Sequence, residues 1–206
     1  MKDRVACYTV LPRSFYLQDT FACLHEILGK LLVRTDGDGI TAGRIVEVEA
    51  YIGGADKGSH SYQGRRTART EVQFGIGGHA YIFTVHTHTL FCFVTGKEGV
   101  SDVVLVRAIE PVYGIDIMMK RRGNPPDDRL LGNGPGKLCA SLNITKKLYG
   151  VDLTEERSGL VIGDDGCRVE SDSIIKTKRI GIDYAEEFKD MPWRYYLKGN
   201  RYVSKV

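Results

Sequence analysis

The run Arg44–Tyr51, RIVEVEAY, sets two carboxylates and an aromatic ring along one edge of a predicted strand. Strict alternation puts Ile45, Glu47, Glu49 and Tyr51 on one face and Val46, Val48 and Ala50 on the other. The Val/Ala face can bury in a core. The acidic face cannot do so alone, because a buried carboxylate must find partners or shift its pKa. Acidic side chains on a rigid strand beside a ring are what a polar, acid/base-capable cleft needs. On spacing alone, a solvated sheet face with Tyr51 at its rim is the commoner explanation, since perturbed carboxylates are the exception.

Three basic clusters follow. Between Lys57 and Thr70 there are four cations (Lys57, Arg65, Arg66, Arg69) and no acid, with His60 and Tyr62 interleaved. Lys120, Arg121 and Arg122 form a second cluster, and Lys176, Lys178 and Arg179 a third. Such residues make salt-dependent phosphate contacts. The plainer alternative is three solvated loops, and Lys120–Arg122 also suits a helix C-terminus. Gly132-Asn133-Gly134-Pro135-Gly136-Lys137 superficially suggests a phosphate loop. It lacks the GxxxxGK[ST] spacing and has Leu138 in the Ser/Thr place, which argues against a nucleoside triphosphate. A helix N-terminus there could still hold a DNA phosphate. His86 and His88 fall on one face of a strand and, with a third donor, could bind a metal; no carboxylate or Cys partner is evident.

The elements that must carry these residues can be read from periodicity and punctuation. Asp19–Leu28 predicts an amphipathic helix, with Phe21, Leu24, Ile27 and Leu28 on one side and Gly29 as the stop. Residues 30–34 and 40–51 predict strands joined by Asp36-Gly37-Asp38-Gly39. A glycine-rich basic loop fills 53–78, and 80–94 reads as a long strand or a hairpin. Asp102–Ile109 predicts another strand, followed after Pro111 by a helical pattern to about Arg122. A loop over 123–134, a helix over 137–148 and short strands closing on a hairpin around Gly199-Asn200 complete the pattern.

A chain of 206 residues with 42% hydrophobic content is long enough for one packed core, and a single domain over 1–206 is expected. No apolar run approaches the ~20 residues of a membrane span. The first fifteen residues lack the apolar core of a secretory signal, so an intracellular protein is expected. Five widely spaced cysteines without a CxxC pair fit free thiols in a reducing compartment better than disulfides or a zinc site. A net charge of +3 permits nucleic-acid binding without requiring it.

The strand runs into Tyr51-Ile52-Gly53-Gly54-Ala55-Asp56-Lys57-Gly58-Ser59-His60-Ser61 and then Gly64-Arg65-Arg66-Thr67-Ala68-Arg69. With Leu105–Pro111, Gly132–Cys139, Arg179–Tyr184 and Pro192–Asn200 in the same order, the chain resembles the alkyladenine (3-methyladenine) DNA glycosylase family. These monofunctional enzymes excise damaged bases by hydrolysis. The match spans almost the whole chain. It implies an α+β single domain with a mainly antiparallel curved β-sheet, flanking helices and a protruding β-hairpin.

By resemblance Glu49 positions and deprotonates the water, and Arg107 helps hold that water. Glu47 is then a structural partner of an arginine. Tyr51, His60 and Phe83 match the residues that hold the flipped base, Phe83 standing where relatives usually carry Tyr, and Ile182 joins that pocket. Arg65, Arg66, Thr67, Arg69, His86 and Lys137 are the implied DNA contacts. The partner implied is double-stranded DNA containing alkylated or deaminated purines, bound by a monomer that needs no metal, organic cofactor or lysine nucleophile. The implied location is cytoplasmic if the source is bacterial and nuclear if eukaryotic.

The hairpin departs from the family. Relatives usually carry Tyr-Gly-Met-His there, the Tyr acting as a wedge in the minor groove, and an Asn further along that discriminates among purines. This chain reads Thr84-Val85-His86-Thr87-His88-Thr89-Leu90-Phe91-Cys92, one residue short, with His86 in the wedge place and Cys92 in the Asn place. A smaller wedge predicts weaker flipping, and a one-residue deletion threatens strand register. The alternative function is therefore a DNA-binding relative with little or no catalysis.

Overall fold

The computed structural model describes residues 7–205. The first six residues of the segment read for a secretory signal lie outside them. Among the described residues nine strands form one sheet, every pairing antiparallel: β1 (Thr9–Val10), β2 (Leu31–Asp36), β3 (Gly39–Tyr51), β4 (Ala80–Val85), β5 (His88–Val94), β6 (Val103–Tyr113), β7 (Leu160–Asp164), β8 (Ile174–Thr177) and β9 (Arg194–Leu197). The main path runs β1-β7-β2-β3-β6-β5-β4. The long β3 changes neighbours along its length: its first half pairs with β2, and Glu47–Glu49 pair with β9, while β6 lies on the other side. This lets the curved sheet branch at the two glutamates, with β8 added outside β9.

Among the described residues four α-helices cover one face: α1 (Arg13–Tyr16), α2 (Thr20–Glu26), α3 (Ile115–Arg121) and α4 (Pro135–Ser141). Asp19 caps α2 by accepting hydrogen bonds from the Phe21 and Ala22 amides, at 2.9 and 3.2 Å, as its position before an apolar-periodic run predicts. Leu24, Ile27, Met118, Leu138 and Leu142 pack against Ile45, Val48, Ala50, Val104, Val106 and Ile109. The opposite face of β4, β5 and β6 carries a smaller cluster of Tyr81, Phe83, Cys92, Val94, Val103 and Leu105. Alternation over these strands thus places two apolar surfaces back to back.

Alternation fails in the acidic strand. Ile45 pairs with Ile109 but Glu47 pairs with Ala108, leaving Val46 as an extra residue on β3; Glu47 pairs with Ala108 but Val48 with Val106, leaving Arg107 as the extra residue on β6. Two opposed bulges follow one another. Ile45 therefore joins Val48 and Ala50 in the helix-side core, and Val46 packs with Ala108 and Tyr202 instead. The expected grouping of Ile45 with the glutamates, and of Val46 with Val48, does not hold.

Three element boundaries also differ. β6 continues through Pro111, which pairs with Gly43 at the sheet's sparse end, and the helix begins only at Ile115. The helix expected over 137–148 stops at Ser141, with a single 3-10 turn at Lys146–Leu148. Among the described residues no hairpin closes at Gly199-Asn200: β9 pairs with β8 and β3. No helix among the described residues is long and apolar enough to cross a membrane.

Candidate active site

Glu49 and Glu47 are both fully buried, and each is satisfied differently. Glu47 accepts from Arg107 Nε at 3.0 Å, Arg194 Nε at 2.7 Å, the Ser204 amide at 2.6 Å and Ser204 Oγ at 2.9 Å. It is an anchor held by four donors, three of them on Oε1. Glu49 Oε1 accepts from the Ile180 amide at 2.8 Å, and its Oε2 accepts from Tyr51 Oη at 2.9 Å and Arg107 Nη1 at 3.3 Å. A carboxylate offers about four lone-pair sites, so one remains. Burial pulls the Arg107 guanidinium pKa down, but Glu49 and Glu47 outweigh it and the net shift is upward. Burial raises the Tyr51 pKa, and the neighbouring Glu49 charge adds to it, so Tyr51 stays a donor.

Tyr51, Arg107 and Ile180, the three donors to Glu49, all line one cavity of about 220 Å³. His60, Phe83 and Ile182 line it too, together with Tyr81, Gln73, Leu90, Cys92, Val103 and Leu105. All five of the non-acidic residues singled out for chemistry and base binding are thus brought to one place, with Glu49 directly behind two of them. Alternation along β6 puts Arg107 on the same face as Val103 and Leu105, where its guanidinium meets both carboxylates.

The rings are arranged more as a corner than as parallel plates. Phe83 stacks on Tyr81, centroids 5.2 Å apart and planes at 23°, while His60 meets Phe83 edge-on at 4.8 Å and 89°. The Arg179 guanidinium stands 4.6 Å over the Tyr51 ring. Arg69 donates to His60 Nε2 at 2.8 Å, which leaves Nδ1 to carry the proton and donate to Tyr81 Oη at 2.8 Å. Burial, reinforced by Arg69, lowers the His60 pKa to about 4, so the ring is neutral near pH 7. Burial pushes the Cys92 thiol well up, and it remains a small, uncharged wall residue. Tyr81 was missed by sequence reading, though a period of two from Phe83 on one strand marks it.

The basic loop after β3 is tied down by its acid. Asp56 accepts from the Gly58 amide at 2.8 Å and takes the buried Arg179 in a two-pronged pair, with 2.8 Å to Nη2. Arg179 is therefore structural and not a surface phosphate contact. Lys57 is paired with Glu186 and Glu187, and Arg66 with Glu71. Arg65, Thr67 and Arg69 share a groove with His60 and Tyr184 beside the cavity; Arg66 is not among its walls. His86, His88, Arg122 and Lys137 line a second groove that shares Val85 and Leu90 with the cavity. Lys137 Nζ there donates to Asn133 at 2.8 Å. A Cβ on Gly132 would lie 1.9 Å from the Ile109 carbonyl, and one on Gly136 2.9 Å from His88 Cβ. These glycines are explained by close packing on β6 and β5, without a phosphate.

The shortened hairpin keeps an unbroken register, Phe83↔Leu90, Thr84↔Thr89 and Val85↔His88. The missing residue is absorbed in the turn, where His86 takes φ 51°. His86 is thus at the turn and not on a strand face with His88. Among the described residues no three His, Cys, Asp or Glu side chains are grouped as a metal site would need.

Residues 14–201 match the model of the methylpurine-DNA glycosylase family. The chain is 44% identical to a protein of Clostridium acetobutylicum over 94% of its own length and 97% of the relative's. It is 45% identical to one of Desulfitobacterium hafniense (94% and 98%) and 46% identical to one of Methanoculleus marisnigri (95% and 98%). Each of the three relatives bears the name "Putative 3-methyladenine DNA glycosylase". A family-wide match of this extent, over a chain whose buried glutamate backs an aromatic cavity, places the protein in the methylpurine-DNA glycosylase family.

Proposed function

We propose that the protein is a DNA repair enzyme that hydrolyses the N-glycosidic bond of alkylated purines in double-stranded DNA. The observation that carries this reading is Glu49: a fully buried carboxylate whose three donors all come from residues lining one small aromatic cavity. At about 220 Å³ the cavity is smaller than the roughly 300–1,000 Å³ of drug-sized ligand sites, room for a single base turned out of the duplex.

In this reading the one remaining lone pair of Glu49 accepts a proton from water as the water oxygen bonds to sugar C1′. The C1′–N bond breaks and its electron pair passes to the base. An alkylated purine carries positive charge, so it leaves neutral without a separate acid. Glu49 also stabilises the cationic sugar that develops before attack. Arg107, locked between Glu47 and Glu49, fixes the carboxylate and the water site. A neutral His60 does not repel a cationic base, and electron-rich Tyr51 and Phe83 favour it through cation–π attraction. Arg65, Thr67 and Arg69 on one side, and His86 and Lys137 on the other, then contact the backbone and the gap left in the stack.

The test is release of methylated bases from alkylated duplex DNA by the purified protein. Free base together with strands that break only after alkali is the expected result. Strand breaks without alkali would instead indicate a lyase with an amine nucleophile. Tight binding to the DNA with no release would favour the non-catalytic alternative that the altered hairpin raises.

A further inference from the structure

The cavity contains one polar side chain that the proposed chemistry leaves without a task. Gln73 lies in the 3-10 turn Glu71–Phe74, is 1% exposed and lines the cavity. Its Oε1 is buried with no hydrogen-bond partner. The carboxamide lies beside the Tyr81 hydroxyl, where it offsets part of the burial that raises the Tyr81 pKa.

Every other polar side chain at this wall is already engaged. His60 uses both nitrogens on Arg69 and Tyr81, Tyr51 donates to Glu49, and Ser59 pairs with Ser61. The remaining walls, Val85, Leu90, Val103, Leu105 and the neutral Cys92, offer little to a base edge. A buried carboxamide oxygen without a partner is rare in native interiors and calls for a missing partner. The terminal amide torsion is soft, so the group can turn toward a bound ring. A carboxamide pairs in two-pronged fashion with the major-groove edge of adenine, accepting from the 6-amino group and donating to N7.

Resting on the glycosylase reading, we propose that Gln73 is a specificity-determining residue that hydrogen-bonds the bound base and selects adenine lesions keeping a free 6-amino group beside an unmodified ring nitrogen. In 3-methyladenine that edge is intact. In 7-methylguanine the 6-position is a carbonyl and N7 is methylated, so the two-pronged pair cannot form. Hypoxanthine presents two acceptors there and is disfavoured for the same reason.

DNA treated with a methylating agent carries 3-methyladenine and 7-methylguanine together, so release of both can be followed in one reaction by chromatography. Wild type and Gln73→Met are compared, with Gln73→Leu as a second variant should the first fail to fold. Loss of a hydrogen-bonded contact of this kind is worth ~10- to ~100-fold. The ratio of 3-methyladenine to 7-methylguanine release is expected to fall by that factor, with 7-methylguanine release changed less than threefold. An unchanged ratio, or an equal fall for both bases, overturns the role of Gln73 and leaves the glycosylase reading standing. Release of neither base by wild type overturns both.

Discussion

Replacing Glu47 by Gln isolates the anchor from the proposed base. The substitution keeps the shape of the side chain and removes a charge that two buried guanidiniums share, Arg107 at 3.0 Å and Arg194 at 2.7 Å. Arg107 keeps Glu49 at 3.3 Å, but Arg194 has no second carboxylate within ion-pair distance among the described residues. Removing one partner of a buried pair typically costs about 3–5 kcal/mol, because a desolvated charge is left uncompensated. Hydrogen bonds to charged groups are worth ~1.5–3 kcal/mol each, and the two to guanidiniums are weakened here, about 3–6 kcal/mol at most, which overlaps that range. For a domain of this size each kcal/mol corresponds to roughly 2–4 °C in Tm, so a fall of about 6–20 °C is expected in a reversible melt, matched by urea unfolding. Glu49→Gln should cost less, since Arg107 then retains Glu47. A Glu47→Gln variant less than about 1 kcal/mol below wild type, or one less destabilised than Glu49→Gln, would refute the assignment of Glu47 as anchor.

Three further outcomes follow from the same geometry. His60 has a folded pKa of about 4 against an unfolded value near 6.5, so the unfolded chain binds more protons between those values. Its contribution to stability is intact above pH 6.5 and declines as pH falls toward 4, by at most about 3 kcal/mol; urea titrations from pH 7 to 4 should show less of this decline in His60→Gln. Asp56→Asn should strip Arg179 of its carboxylate and disturb the ring of Tyr51 above it, lowering Tm by roughly 6–20 °C; a change under 1 °C would contradict the pairing. Arg65→Ala should reduce the slope of log K against log salt for undamaged duplex by about 1 while leaving Tm unchanged; Arg66→Ala, whose charge already faces Glu71, should change it less.

Much of this architecture was legible because period and punctuation act locally. The Asp19 cap and the DGDG turn between β2 and β3 follow from the residues themselves, while the run over 80–94, open between one long strand and a hairpin, folds as the hairpin β4–β5. The paired bulges at Val46 and Arg107 were not, because a bulge depends on the partner strand and leaves no mark on alternation within one segment. They set Val46 and Ala108 together away from the helix-side core, whereas plain alternation from Val103 and Leu105 already puts Arg107 on the cavity face. The family resemblance supplied Glu49, Tyr51, His60, Phe83, Ile182 and Arg107, which meet around one cavity. It also counted Arg66 among the DNA contacts; that side chain is exposed and paired with Glu71 beside Phe74. Gln73 carried no signal in sequence, since a lone Gln in a polar loop is unremarkable until its burial and missing partner are known.

The central claim is that Glu49 activates the water. It is tested most directly by single-turnover base release from methylated duplex DNA, wild type against Glu49→Gln, with binding to the same DNA measured in parallel. Release by wild type and a loss of at least ~100-fold in the variant, with binding retained, is the predicted result. Equal release by both proteins would contradict the account, since the carboxylate would then take no part in the chemistry.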